Sequence, residues 1–87
     1  MKTVVIGTSA GKSMDEIMAV YPRHKVAVDA FIERGEVIGI GPLVGGGNLA
    51  IFRTREAAEE FARTDPFLVE GMVASYDVRD WNDDLLA

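Results

Sequence analysis

The order of apolar segments along the chain constrains its fold more than any other feature. Short runs rich in β-branched residues predict strands, and longer segments with helical spacing predict helices. The predicted strands cover residues 3–6, 36–41, 49–52 and 72–78, and the predicted helices cover residues 14–20, 22–34 and 55–63. With the first two helices taken as one interrupted unit, the order β-α-β-β-α-β is typical of a ferredoxin-like α+β fold, an antiparallel sheet with both helices on one face. A chain of 87 residues predicts a single domain over residues 1–87.

Proline and glycine mark the predicted ends of the helices. Pro22 lacks an N–H and disfavours a helical residue before it, so we expect it to separate a short helix from the main one. Gly35 is expected to end the main helix as its C-cap. The Asp65-Pro66 pair ends the next helix, and residues 80–87 are expected to form an acidic tail.

The predicted strands carry apolar side chains on both faces of the sheet. Neighbouring residues of a strand point to opposite faces, so Leu49 and Ile51 lie opposite Ala50 and Phe52. In the last strand Met72, Ala74, Tyr76 and Val78 are expected on one face, and Val73, Ser75 and Asp77 on the other. Because the helices cover one face only, we expect a second copy of the chain to cover the other, which predicts a homodimer. The alternative is a set of scattered surface apolar residues, which are common.

Composition argues against several classes of function. The net charge is −5 and the Lys and Arg residues are scattered, so we expect neither nucleic acid nor an anionic membrane surface as a partner. The chain has no cysteine and one histidine, too few ligands for a dedicated transition-metal site, and we expect no cofactor. The apolar run 3–6 is too short for a signal peptide, and no segment approaches the ~20 apolar residues of a membrane span, so we expect a cytoplasmic protein.

A glycine-rich segment after the first strand resembles a phosphate-binding loop but has the wrong spacing. Three residues separate Gly7 from the Gly11-Lys12 pair, whereas the P-loop of nucleotide hydrolases has four there. A loop that lacks one residue cannot wrap a phosphate in the usual way. We therefore interpret residues 7–13 as a polar surface loop.

His24 and Asp65 are the candidate catalytic residues. His24 falls near the predicted start of the main helix, on its inward side, where the helix dipole disfavours the imidazolium and favours a neutral base. Asp65 ends the next helix, and its carboxylate can reach His24 if the two helices pack antiparallel. A carboxylate that accepts a hydrogen bond from one ring nitrogen fixes the tautomer and makes the other nitrogen a better base.

Structural roles are open for both residues. A single histidine near a helix end is often only part of a local hydrogen bond, and an aspartate before proline is a common turn former. Asp29 is a rival partner for His24, but it points away and is expected to pair with Lys25 on the exposed face of the helix. These patterns alone do not separate a catalytic pair from a structural one.

Several short motifs follow one another from residue 3 to about residue 82. They are Tyr21-Pro22-Arg23-His24, Arg34-Gly35-Glu36-Val37, Ile40-Gly41-Pro42, Glu56-Ala57-Ala58, Asp65-Pro66-Phe67-Leu68-Val69-Glu70-Gly71 and Asp80-Trp81-Asn82. Their order and spacing resemble those of the YCII-related family. The resemblance implies a dimeric ferredoxin-like domain whose characteristic His and Asp, here His24 and Asp65, suggest an enzyme. It also implies proton transfer, isomerisation or elimination on small, often aromatic-derived acids or hydroxyquinones.

These observations lead to two functional hypotheses. The first is a cofactor-free lyase or isomerase for a small organic acid, lactone or hydroxyquinone, with His24 as general acid or base and Asp65 as its orienting partner. In it Gly41 and Pro42 let the substrate approach the strand backbone, and Phe67 forms an apolar wall. The second is a non-catalytic dimeric binding or accessory domain in which the His-Asp pair only ties two helix ends together. An accessible His24 beside an apolar cleft favours the first, and a buried pair without a cavity favours the second.

Overall fold

The computed structural model describes residues 1–86 and has the predicted order of strands and long helices. The strands are β1 (Lys2–Ser9), β2 (Val37–Pro42), β3 (Asn48–Phe52) and β4 (Val73–Trp81). The helices are α1 (Met14–Glu33), α2 (Arg55–Thr64) and α3 (Pro66–Val69), and a 3₁₀ turn, Asp83–Leu86, follows β4. No helix within residues 1–86 combines membrane-spanning length with a sufficiently apolar sequence.

The four strands form one antiparallel sheet in the order β2-β3-β1-β4. β1 is central, so Val5 lies between Ala50 of β3 and Val78 of β4. These side chains face the helices, because Val5 and Ala50 share a buried cluster with Val28 of α1 and Phe61 of α2. The predicted ferredoxin-like fold is confirmed.

Three phenylalanines join the two long helices to the sheet. Phe52 of β3 is completely buried, and Phe31 of α1 and Phe61 of α2 are nearly so. The ring centroids of Phe31 and Phe61 lie 6.0 and 5.1 Å from that of Phe52. Such close aromatic packing holds both helices against the sheet beside Thr3, at the start of β1.

α1 is one continuous helix, so the predicted break at Pro22 is wrong. A proline inside a helix removes its own backbone hydrogen bond and crowds the preceding turn, at a cost of about 3 kcal/mol. Packing on both sides offsets that cost, because Val20 before the proline and Val28 after it are both buried. The two predicted helices are therefore halves of a single one.

α1 ends at the predicted glycine. Gly35 has a φ of +74°, in the left-handed region where a side chain is strained. Its N–H donates to the carbonyl of Ile32 at 2.9 Å, and the N–H of Glu36 donates to that of Phe31 at 3.1 Å. This pair of bonds is the Schellman arrangement, which satisfies the last carbonyls of the helix.

β1 and β4 both extend beyond their predicted limits. β1 continues to Ser9, so the first part of the predicted loop 7–13 is strand. β4 continues to Trp81, so the predicted acidic tail 80–87 begins inside the sheet, and its last residue, Ala87, lies outside the described residues. Pairing between the two strands along this length supplies backbone hydrogen bonds that composition alone does not reveal.

One carboxylate ties the extended end of β4 to its neighbours. Asp80 accepts a hydrogen bond from Nη1 of Arg55, at the start of α2, and another from Oγ1 of Thr3 in β1, both at 3.1 Å. The Arg55 guanidinium and then the Thr3 hydroxyl hold the pKa of the Asp80 carboxyl below its usual range. Asp80 is thus part of the sheet rather than of a free tail.

A bulge in β4 turns Val73 toward the helices. Thr8 pairs with Ser75 and Ser9 pairs with Val73, so β4 has one more residue than β1 at this point. An extra residue shifts the alternation of side chains by one. The prediction that Val73 shares a face with Ser75 and Asp77 is therefore wrong, and Val73 is buried.

The sheet face opposite the helices is apolar near its centre. Val4 and Ile6 alternate with Val5 along β1, and they lie beside Ile51 and Leu49 of β3. Ile6 is exposed, and Leu49 and Ile51 are half-buried. This apolar patch is the surface that the predicted homodimer would use, and dimerisation stays a prediction.

We expect the protein to sediment as a dimer and the Ile6→Arg variant to sediment as a monomer, because a charge buried in an apolar interface is costly. Ile6 is exposed, so the subunit fold should tolerate the change. Val26→Arg, on the solvent side of α1, is the matched control and should leave the mass unchanged. A monomeric wild-type protein, or a dimer that survives Ile6→Arg, would contradict the prediction.

Candidate active site

His24 lies well inside α1 rather than near a helix start. Ten residues of α1 precede it, so the helix dipole, which acts mainly within the first turn, does not set its charge state. The predicted effect of the helix dipole on His24 is therefore wrong, because α1 does not break at Pro22. The side chain points inward as predicted and is 17% exposed, and its Nδ1 lies 2.7 Å from Oδ1 of Asp65. The structure therefore brings the two candidate catalytic residues together.

Asp65 occupies a helix junction that leaves its carboxylate available to His24. It is the C-cap of α2 and directly precedes α3. Its backbone N–H donates to Phe61 at 2.8 Å, and its carbonyl accepts from Leu68 and Val69 at 3.0 and 2.9 Å. The carboxylate makes no capping bond to α3, and the Asp65 side chain is 2% exposed. Because a buried carboxylate without a partner is costly, the bond to His24 also stabilises this junction.

Aromatic rings orient the imidazole. Phe67 of α3 stacks on His24 with ring centroids 3.9 Å apart and planes 6° from parallel. Tyr21, one helical turn earlier, lies 6.0 Å from His24 in a tilted arrangement. The stack and the Asp65 bond leave Nε2, on the far side of the ring from Nδ1, for other partners.

An ion pair holds α3 against α1. The guanidinium of Arg23 donates two hydrogen bonds to the carboxylate of Glu70, and the one from Nη2 to Oε1 is 2.8 Å long. The hydrogen bonds from Arg23 lower the pKa of the Glu70 carboxyl below its usual range, and the Glu70 carboxylate raises the pKa of Arg23. Exposed ion pairs add little to stability, but a two-bond pair has a defined geometry. The pair joins the residue before His24 in α1 to the C-cap of α3.

His24 forms part of the wall of a cleft of about 410 Å³ between α1, α3 and the sheet. This volume is in the range of small-molecule sites. Gly41, Pro42 and Phe67, the predicted substrate-binding residues, line the same cleft as His24 and Asp65. Most other lining residues are apolar, namely Val5, Met14, Ile17, Met18, Ile40, Leu49, Ala50, Phe61, Leu68, Met72 and Val73. All five predicted site residues therefore meet in one place, and their contact with a substrate stays a prediction.

The cleft contains few acid–base groups. Among its described lining residues only Tyr21, His24 and Asp65 carry a titratable side chain. Within residues 1–86, no three His, Asp or Glu side chains come together as metal ligands would. Proton transfer by protein groups in the cleft therefore depends on these three residues.

Asn48 is a polar residue of the cleft that sequence reasoning missed. It begins β3, pairs with Gly7 and Pro42, and contributes a carboxamide that can both donate and accept. A Cβ on Gly7 would overlap with Oδ1 of Asn48 and with Cγ1 of Val73, so only glycine leaves room for them. In the sequence Asn48 follows three glycines of a hairpin, where asparagine is typical of a turn, and no signal marks it as functional.

A known protein shares this fold. One similar solved structure is that of 5-chloro-2-hydroxyhydroquinone dehydrochlorinase (TftG) from Burkholderia phenoliruptrix AC1100 in complex with 2,5-dihydroxybenzoquinone. It has a TM-score of 0.76 and 18% sequence identity over 94% of each chain, which shows a shared fold. No curated protein sequence matches the chain. The sequence pattern of the YCII-related domain matches residues 1–82, nearly the whole length. The chain belongs to the YCII-related domain family.

Proposed function

We propose that this protein is a small cofactor-free enzyme that transfers a proton on a small oxygen-bearing ring and eliminates a leaving group from it. The observation that carries the proposal is the environment of His24. The ring is fixed by a buried carboxylate at 2.7 Å and still reaches an apolar cleft. A purely structural His-Asp pair needs no such cleft, whereas a general base does.

Asp65 sets the chemical role of His24. An ionised carboxylate can only accept hydrogen bonds, so it selects the tautomer with the proton on Nδ1. The lone pair is then on Nε2, which acts as the base. When Nε2 takes a proton, the adjacent Asp65 carboxylate stabilises the imidazolium that forms.

The walls of the cleft suit a flat ring with oxygen substituents. Tyr21 and Phe67 give aromatic surface beside His24. Gly41 and Pro42 bring the backbone of β2 to the wall of the cleft, where a ring can approach it. Asn48 gives a donor and an acceptor for a ring oxygen. Mostly apolar walls with a few polar groups are typical of small-molecule sites.

The elimination that fits these groups is loss of HX from a hydroquinone that bears a leaving group X. Both ring hydroxyls lose a proton, and their O–H electrons become part of two carbonyl groups. One proton is delivered to the carbon that bears X, and the other stays on His24 until solvent takes it. The C–X bond breaks and X leaves as an anion with the bonding electrons. The ring becomes a quinone without an external oxidant.

The dehydrochlorinase that shares this fold supports the same class of reaction. Its name describes loss of hydrogen chloride from a chlorinated hydroxyhydroquinone, and the molecule in its structure is a dihydroxybenzoquinone. Both are flat rings with several oxygens. The proposal covers hydroxyquinones, and also ring acids and lactones on which the same base would move a proton.

We expect the purified protein to release chloride from 5-chloro-2-hydroxyhydroquinone or a related halogenated hydroquinone faster than buffer does. Chloride and quinone absorbance would be measured without oxygen, because hydroquinones oxidise in air. Deuterium uptake at ring carbons would detect proton transfer on lactones and aromatic acids. If none of these compounds loses halide or exchanges protons above the background rate, the proposed function is wrong.

A further inference from the structure

The N-terminal half of α1 presents apolar side chains to the cleft. Met14, Ile17, Met18 and Tyr21 have the spacing of one helical stripe, and all four line the cleft. Met14 is 68% exposed and Met18 is 52% exposed. A helical stripe of this kind normally packs on other parts of the protein, whereas here it faces the open space of the cleft.

The sheet below this stripe has few free polar groups. Gly7 contributes no side chain, and the side chains of Asn48 and Val73 occupy the space above it. The hydroxyls at this end already take part in hydrogen bonds, Thr8 Oγ1 with Ser75 Oγ at 2.9 Å and Ser9 Oγ with the N–H of Gly11 at 3.2 Å. Apart from the Asn48 carboxamide, this end of the cleft therefore offers mainly apolar surface.

The cleft is longer than a single ring. His24 lies ten residues after Met14 on α1, which is about 15 Å along the helix axis. A ring held at His24 between Phe67 and Gly41 reaches only part of that length. The remainder, from Met18 to Met14, belongs to the same continuous cavity.

We propose that this remainder binds an apolar substituent, such as a short alkyl chain, on the ring that His24 acts upon. We call it the methionine arm, and it is formed by Met14, Ile17, Met18 and Met72. The inference rests on the proposed function and narrows its substrate class to alkyl-substituted hydroxyquinones or ring acids. Methionine side chains are flexible and polarisable, so they adapt to a chain of variable shape. Continuity of the arm with the ring site points to the substrate as its occupant.

A series of ligands tests the arm directly. Calorimetry would compare 2,5-dihydroxybenzoquinone with its methyl, propyl and pentyl derivatives. Each added methylene that enters the arm should tighten binding about two- to fourfold, so the pentyl derivative should bind at least about tenfold more tightly than the methyl one. Binding of the parent without any gain along the series would overturn the arm and leave the proposed function standing. Binding of none of the compounds would count against both.

Two variants show where the gain arises. Met18→Gln keeps the length of the side chain but makes its end polar. This variant should lose most of the increase in affinity that the alkyl chain provides. It should bind unsubstituted 2,5-dihydroxybenzoquinone as the wild type does. Val26→Gln, at a position 71% exposed on the same helix and outside the cleft, should leave the whole series unchanged. An undiminished alkyl gain in Met18→Gln would overturn the proposal. If the wild type is a dimer and Met18→Gln a monomer, the stripe is a contact between subunits and the proposal is overturned.

Discussion

Replacing His24 with asparagine is expected to lower the turnover number by about 10²–10⁴-fold. The asparagine amide can donate to Asp65 in place of Nδ1–H, so the hydrogen bond that ties α1 to the junction of α2 and α3 is kept. An amide cannot accept a proton from the substrate at neutral pH, so the base is lost. The initial rate of chloride release or of deuterium uptake measures the effect.

Lys25→Asn is the matched control for this change, because Lys25 neighbours His24 and its side chain is exposed and paired with Asp29 at 2.8 Å. Its turnover should equal that of the wild type. A His24→Asn variant with nearly normal turnover would end the assignment of His24 as the base. If it instead lowered the midpoint of thermal unfolding and left ligand binding unchanged, the pair would be structural and the protein a binding or accessory domain.

Replacing Asp65 with asparagine should also lower the turnover number by about 10²–10⁴-fold, although the two side chains have the same size. An amide at this position can donate to Nδ1, which selects the tautomer with the proton on Nε2 and removes the base from the cleft. The nearby negative charge that stabilises the imidazolium is lost as well. We expect kcat to fall and KM to change little, because Asp65 is buried behind His24 and acts through it.

Asp29→Asn is the control for Asp65. This second carboxylate of the region lies on the exposed face of α1 and pairs with Lys25, as the sequence predicts. Steady-state kinetics of the two variants should therefore differ by orders of magnitude. Equal losses in both, or normal turnover in Asp65→Asn, would remove Asp65 from the mechanism.

The fold and the His-Asp pair are largely predictable from the sequence because their signals are local. The alternation around Ala50 and Phe52 predicts a strand, and the stripe of Ala58 and Phe61 predicts the packed face of α2. Asp65 is marked by the proline that follows it. The pairing of His24 with Asp65 was predicted from two adjacent helix ends, and it holds although one of those ends does not exist, since α1 continues through Pro22.

The methionine arm could not be predicted because it depends on that continuity. With a break at Pro22, the rotation of Met14 and Met18 relative to His24 is undefined, and no common stripe can be drawn. Burial of Val20 and Val28 on either side of Pro22 keeps α1 continuous. Such tertiary contacts are not visible in local sequence.

The bulge in β4 was unpredictable for a similar reason. The alternation from Met72 to Val78 fits a regular strand, and only its pairing with β1 shows that a residue is added between Val73 and Ser75. That shift places Val73 in the cleft, where its side chain and that of Asn48 cover Gly7. Strand register depends on the partner strand, so it is read from the assembled sheet.

Phe67 stacks on the chain's only histidine, so the proton NMR signals of His24 are a probe of the site. Ring current from the phenylalanine should move the two carbon-bound imidazole proton signals upfield, and no other histidine contributes signals to that region of the spectrum. A ligand that enters beside His24 and alters the overlap of the two rings will shift these lines. Occupancy of the cleft can therefore be followed in a one-dimensional proton spectrum of the unlabelled protein, before any turnover is known.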